Sequence, residues 1–286
     1  MFLTFSLGEL LFIVVVSFVI CTIATSLAME SAAFFVPTFL LLFPAVIPTF
    51  PAISPNGAIG LTLIIMFFGQ TSTVVGYWFR RQIRFRVAGS VLLISVPFAV
   101  VGRVVSYGIP GNWLLLIFAA VVFILSVVVY RAHASDTPNP STDADGTAPA
   151  PRETERSHVF DQASFASGGL IAGLVGFAIG EVANTRLHVN NGLPIRTSIG
   201  TSTLILYVTI LTANVVNIAL LSTGWVGQQN GIAVPWGVAV IIAPVVLVGG
   251  QAGAYLNSRL PESMTVRVLV VAYVAIGLVT LARLAL

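Results

Sequence analysis

Two glutamates lie where apolar segments of this chain end. Glu30 follows an apolar run that begins at about residue 9, and Glu181 follows one that begins at about residue 163. An acidic side chain is costly within a bilayer, so ionisable residues in membrane segments are functional candidates. Each glutamate could accept a proton or a coupling ion. Alternatively, each could cap a broken helix by accepting backbone N–H bonds.

The composition predicts a protein that lies almost entirely within a membrane. The 286 residues are 57% hydrophobic and only 8% charged, whereas about 25% of the residues in a water-soluble domain are charged. The stretches between apolar runs are short, so few residues remain for a separate extramembrane domain. We therefore expect an all-α polytopic protein of the cell membrane. Its first apolar run should be retained, because no basic region precedes it as in a signal peptide.

The sequence does not contain the residues that metal-dependent or nucleophilic catalysis would need. The single cysteine, Cys21, lies in an apolar run, and His133, His158 and His188 show no metal-ligand spacing. No nucleophile is found with a base beside it. We expect no catalytic residue, no metal, no cofactor and no nucleic-acid partner, and the chain is not predicted to be an enzyme.

The apolar segments form two sets separated by a polar stretch. Residues 131–161 are rich in Pro, Ser, Thr and Asp, a composition typical of a flexible linker. The chain is thus predicted to contain a first repeat at 1–130, a linker at 131–161 and a second repeat at 162–286. The apolar segments lie at about 9–28, 32–47, 57–79, 87–107 and 112–130, and then at 163–180, 197–221, 232–256 and 266–286.

The two sets align with each other. The sequence IGLT at 59–62 matches IGTS at 199–202, and VP at 96–97 followed by Gly102 matches AP at 243–244 followed by Gly249. The two glutamates precede these matches in the same order. An internal duplication is therefore predicted.

Arginine placement predicts that the two repeats are inverted in the membrane. Four arginines at 80–86 place that loop in the cytoplasm, since short cytoplasmic loops are enriched in Arg and Lys. The corresponding loop at 222–230 has no charge, whereas the later loop at 257–267 carries two arginines. We expect each repeat to contain a broken, re-entrant pair followed by three transmembrane helices, because 181–196 is too polar to span alone. The linker is predicted to be cytoplasmic.

Small polar residues near the start of one long helix in each repeat are further candidates. Gly60 and Thr62 in the first repeat, and Gly200, Thr201 and Ser202 in the second, could line an anion pocket with hydroxyl and N–H groups. They could equally serve close helix packing, with hydroxyls bonded back to their own helix.

Polar residues elsewhere in the apolar segments complete the set of candidates. Ser31 and Asn184 adjoin the two predicted breaks, and Gln70 and Asn214 lie further along the long helices. An amide within a bilayer needs a partner, which could be a substrate or a neighbouring helix.

Arg103 is the one arginine well inside a predicted crossing, about a turn from its outer end. It could attract an anionic substrate, or its guanidinium could extend to the outer headgroups. Its counterpart in the second repeat is Gly250, so either role would be asymmetric.

The order of these motifs resembles a known family. Each half runs from a broken apolar segment to an Ile-Gly-x-Thr/Ser sequence, a helix with spaced Gly and Ala, and a closing apolar helix. The first half has Pro37 within Phe-Val-Pro-Thr-Phe, and the second has GLVG at 173–176 and IGTST at 199–203. This pattern is similar to the TauE/SafE sulfite exporters over nearly the whole chain outside the linker.

The resemblance implies a secondary transporter that exports a small sulfur-containing anion, sulfite or an organosulfonate, across the cytoplasmic membrane. Its partners would be that anion and membrane lipid, with protons as a candidate coupling ion in an alternating-access cycle. Transport of another small organic anion and an anion channel remain alternatives. The oligomeric state is left open.

Overall fold

The computed structural model describes residues 5–27, 29–134, 155–189, 191–223, 234–257, 259 and 262–285, and every regular element within these ranges is helical. Within these described ranges, the first half has five helices. They are α1 (Leu7–Ser26), α2 (Ala32–Val46), α3 (Pro55–Phe79), α4 (Phe85–Gly108) and α5 (Gly111–Ala134). Pro37 interrupts α2, and a π-helical stretch at Thr38–Leu42 follows it.

The second half repeats this order of helix lengths. Its elements are α6 (Glu155–Val175), α7 (Ile179–Val189), α8 (Ile195–Ser222), α9 (Trp236–Asn257) and α10 (Glu262–Ala285). In each half a short second helix lies between longer ones. Among the described residues, six helices are long and apolar enough to cross a membrane, namely α1, α3, α4, α5, α8 and α9. The predicted fold class, an all-α polytopic membrane protein, is confirmed.

Helices extend into both ends of the predicted linker 131–161. The helix α5 continues to Ala134, and α6 begins at Glu155. Residues 155–161 contain no Pro or Gly, so nothing in their sequence ends the helix there even though they are polar. The middle of the predicted linker, 135–154, lies outside the described residues.

Each short helix returns towards the start of the helix before it. In the first half, the Thr49 hydroxyl donates to the Glu9 carboxylate at 2.8 Å, which joins the loop after α2 to the start of α1. In the second half, Arg186 near the end of α7 pairs with Asp161 in α6 at 3.7 Å. Both pairs therefore form hairpins whose two ends lie together, the shape expected of a re-entrant pair.

Small residues allow the first helix of each half to cross closely over a helix of the other half. A Cβ at Gly173 of α6 would collide with the Ala99 carbonyl of α4, and one at Gly253 of α9 would lie 2.6 Å from the Thr22 carbonyl of α1. Close approach of this kind is how membrane helices associate without a hydrophobic driving force.

The most extensive helix contacts between the two halves are unchanged when the halves are exchanged. The α4–α6 contact becomes α9–α1, and the α3–α9 contact becomes α8–α4, while α3–α8 and α5–α10 map onto themselves. These contacts are those expected of two related repeats. The inverted orientation of the repeats in the membrane stays a prediction.

Candidate functional site

The two breaks between the helices of each hairpin meet at one place. Glu30 lies just before α2, and its carboxylate accepts hydrogen bonds from the backbone N–H of Ala178, at 3.0 Å, and of Gly180, at 2.6 Å. Those two N–H groups belong to the break before α7. The first half thus supplies an acid that binds the backbone of the second half.

Glu181 makes the reciprocal contact with the first break. Its Oε1 accepts from the backbone N–H of Glu30 at 3.0 Å and from the Tyr273 hydroxyl of α10. The exposed fractions of Glu30 and Glu181 are only 2% and 8%. Each acid therefore satisfies a backbone donor of the opposite break, where an unpaired buried N–H would be costly.

The backbone of the second break is shaped to hold a carboxylate. Gly176 and Ala178 have φ angles of +91° and +104°, and a Cβ at Gly180 would lie 2.7 Å from the Glu30 Oε1 atom. Successive N–H groups in such a turn form a concave anion site, reinforced by the start of a helix. Here the chain's own Glu30 fills that site, so α7 does not offer it freely to a substrate.

A polar cavity lies beside the joined breaks and is lined by both halves. Its volume is about 40 Å³. Tyr77, which is part of the wall, lies one turn before the four arginines at 80–86. The cavity therefore lies towards the predicted cytoplasmic end of the bundle. The full lining is Thr25, Met29, Glu30, Gln70, Thr73, Tyr77, Gly180, Asn184, Ile199, Ser202, Thr203 and Leu206.

Four of the predicted site residues line this cavity: Glu30, Gln70, Asn184 and Ser202. The Gln70 Oε1 and Asn184 Oδ1 atoms are buried and have no hydrogen-bond partner among the described residues. Buried polar atoms are nearly always paired. These two amides therefore point to a polar occupant, water or a ligand.

Other predicted residues near the helix starts serve packing, the second of the two readings given above. The Thr201 hydroxyl accepts from the Arg84 backbone N–H at 3.0 Å, and a Cβ at Gly200 would collide with the Gln82 carbonyl. These contacts fasten the loop before α4 to α8. The Thr62 hydroxyl bonds back to Ala58 at 2.8 Å.

Ser31 and Asn214 also lie outside the cavity. Ser31 is buried at the start of α2 and makes no side-chain capping bond. The Asn214 amide donates to the Leu63 carbonyl at 2.8 Å, which joins α8 to α3. For Asn214 the interhelical alternative is therefore the observed one.

Arg103 does not extend to the headgroups, so that alternative is wrong. Its side chain has no exposed surface and donates to the Asn217 Oδ1 at 2.6 Å and to the Tyr107 hydroxyl at 2.8 Å. The cause is its position on the face of α4 that packs against α8. Gly60 lies beside this group, since a Cβ there would be 3.3 Å from the guanidinium.

Sequence reasoning missed several residues that the fold brings to these sites. Tyr77 and Thr203 line the cavity, and Tyr273 binds Glu181. A tyrosine within the apolar stretch 268–279 of the final helix was the available signal, because a buried hydroxyl needs a partner. Among the described residues, no group of three or more His, Cys, Asp or Glu side chains could hold a metal ion.

The sequence matches the family described as sulfite exporter TauE/SafE over residues 13–280. The chain belongs to the TauE/SafE family. This match confirms the resemblance found in the motifs, and it covers both helix breaks and the cavity. TauE/SafE proteins are membrane transporters of sulfite and sulfonates, which fits the prediction of a non-enzyme. No curated protein sequence and no solved structure matched the chain.

The strained turn before α7 gives a stability prediction. Ala178→Gly removes a Cβ from a left-handed backbone conformation, and we expect the free energy of unfolding to rise by about 1 kcal/mol. The matched control is Ala183→Gly within α7, where glycine should lower stability by about the same amount. Thermal unfolding of the purified protein in detergent measures both. A lower melting temperature for Ala178→Gly would contradict the strain.

Proposed function

We propose that the chain is a secondary transporter that exports a small sulfur-containing anion, sulfite or a small organosulfonate, across the cell membrane. The observation that carries the proposal is the polar cavity at the joined breaks, lined by Gln70 and Thr73 of α3 and Asn184 and Ser202 of the second half. Discontinuous helices meeting in the middle of a bundle are where secondary transporters bind their substrates.

The size of the cavity favours a small oxyanion. A water needs roughly 10 to 15 Å³ of such space, so about 40 Å³ holds roughly three waters, a space in which sulfite fits more readily than a sulfonate with a long chain. The Asn184 amide supplies neutral N–H donors. The Ser202 hydroxyl donates to the Ile199 carbonyl at 3.0 Å, and it donates to an anion only by exchanging that bond. The unpaired atoms, Gln70 Oε1 and Asn184 Oδ1, are acceptors, so they favour an occupant that carries an O–H donor, such as water or hydrogensulfite.

The Glu30 carboxylate in the cavity wall supports proton coupling. An anion that enters the cavity meets this carboxylate at short range, and like charges repel strongly in a buried site. Protonation of Glu30 removes the repulsion, and it also weakens the bonds to Ala178 and Gly180 that join the two breaks. Anion binding, proton binding and movement of the halves are linked through this one group.

Flux through proteoliposomes tests the transport function. We expect purified protein to move sulfite faster than empty vesicles do, with a rate that saturates. Ser202→Val, which replaces a cavity hydroxyl, should lower the rate about tenfold or more, since a lost hydrogen bond to a charged group is worth roughly 1.5–3 kcal/mol. Ser222→Val, at the exposed end of the same helix, is the matched control.

The outcomes of this assay separate the alternatives. Rates no faster than empty vesicles for sulfite, small sulfonates and small carboxylates would overturn the transport function. A rate that rises without saturation would indicate a channel. Movement of carboxylates but not of sulfite would place the substrate in another class.

The pH dependence of flux tests the role of Glu30. A sulfonate is the right probe, because its own charge is constant from acid to neutral pH. We expect wild-type sulfonate flux to rise as the pH falls, and Glu30→Gln to fold and lose this dependence. An equal pH dependence in Glu30→Gln would show that the carboxylate only caps the break, as would a variant that merely unfolds. Glu9→Gln, which changes a half-buried acid at the start of α1, is the control.

A further inference from the structure

The Arg103 guanidinium is a buried positive charge with only neutral partners recorded in the structure. It donates to Asn217 and to Tyr107, as described above, and to the Ser106 hydroxyl at 3.2 Å. The guanidinium carbon also lies 4.4 Å from the centre of the Tyr107 ring. Within the described residues no carboxylate forms an ion pair with it; the recorded pair joins Arg186 to Asp161.

Such a charge needs a counter-ion. Arginine does not deprotonate in proteins, and a buried charge without an opposite partner is strongly unfavourable. Asparagine and tyrosine dipoles, and the face of the Tyr107 ring, reduce this penalty without cancelling the charge. A small anion beside Arg103 would cancel it.

Unused donors show where an anion would bind. Arg103 Nε and Asn217 Nδ2 are both buried and have no hydrogen-bond partner among the described residues. Arg103 and Asn217 bond each other through other atoms, so these two N–H groups, unpaired among the described residues, lie within one cluster. Two spare donors next to a full positive charge form a site for an oxyanion.

The cluster also has a defined place relative to the cavity. Arg103 corresponds in the duplicated sequence to Gly250, and a Cβ at Gly250 would lie 2.9 Å from the Ser72 hydroxyl and 3.3 Å from that of Thr73, a residue of the cavity wall. The position of Arg103 is therefore equivalent to one in the cavity wall. It lies on the opposite side of the joined breaks. Gly60 has no side chain there, which leaves room for the guanidinium.

We propose that Arg103 and Asn217 form a second anion site, at the predicted outer end of the path, for a small inorganic oxyanion such as sulfite. This inference rests on the proposed transport function for its role, since it gives the exported anion a second binding position on its way out. Its binding chemistry is independent of transport. Chloride, as a resident counter-ion, is the other occupant that the experiment must distinguish.

Asn217→Asp provides a direct test, because the new carboxylate would lie where the Asn217 oxygen now meets Arg103 at 2.6 Å. The internal ion pair would replace the anion. The comparison is made in Ser202→Val protein, so that the cavity contributes little. With saturating sulfite in place of gluconate, we expect the melting temperature of Ser202→Val to rise by about 5 °C. The double variant should show no rise, and its melting temperature in gluconate should already be higher.

The outcomes are distinct. An equal rise in both proteins, or no rise in Ser202→Val, would overturn the proposal. A rise with chloride that sulfite does not exceed would make the site a resident halide site, which also overturns the assignment to the exported anion. The control is Ser95→Ala, which removes a buried hydroxyl from α4, the helix of Arg103. When it is added to Ser202→Val, the melting temperature should rise with sulfite as much as it does in Ser202→Val alone.

A second measurement needs no variant. Crystals of the wild-type protein grown with bromide should show anomalous density within about 3.5 Å of Arg103 Nε or Asn217 Nδ2, and bromide found only elsewhere would count against the site. If the protein transports sulfite but shows neither the melting-temperature rise nor bromide at Arg103, the second anion site is contradicted and the transport function is not. An anion response without flux contradicts the transport function and leaves the site intact.

Discussion

The exchange of hydrogen bonds between Glu30 and Glu181 is the constraint on which the rest of the structure depends. Two hairpins bring broken backbone into the interior of the bundle, where unpaired N–H groups cannot reach water. Glu30 accepts from two N–H groups of the second break, and Glu181 accepts from the N–H of Glu30 itself. Neither half can hold its break without the other, so the halves are joined at the point where a transporter must move.

The two sides of this junction differ although the halves are related. Towards the Arg80 end, the helices leave a small polar cavity. Towards the other end, the side chain of Arg103 lies in the equivalent region and bonds to Asn217. The asymmetry comes from one pair of corresponding positions in the duplicated sequence, which holds Arg103 in α4 and Gly250 in α9. The cavity on one side and the buried positive charge on the other follow from it.

The sequence predicted the two glutamates and the hairpin arrangement because acidic and polar residues are energetically costly in a bilayer. An acid or a polar stretch among apolar runs must therefore lie where protein or water covers it. It also placed Gln70, Asn184 and Ser202 among the candidates, and these line the cavity. Gly200 and Thr201 could not be separated from Ser202 by sequence, because small polar residues on one helix turn point to different neighbours. For Arg103, the distance from the helix end was readable, but the face it occupies depends on Asn217, 114 positions away in the chain.

The cavity shared by both halves, between the joined breaks, is the proposed anion site. A structure of the protein with selenite, a heavier analogue of sulfite whose selenium scatters anomalously, measures this most directly. We expect selenium in the cavity, with selenite oxygens within hydrogen-bond distance of one side chain from each half, such as Gln70 and Ser202. A cavity that holds only water, with selenite bound at the protein surface, would contradict it.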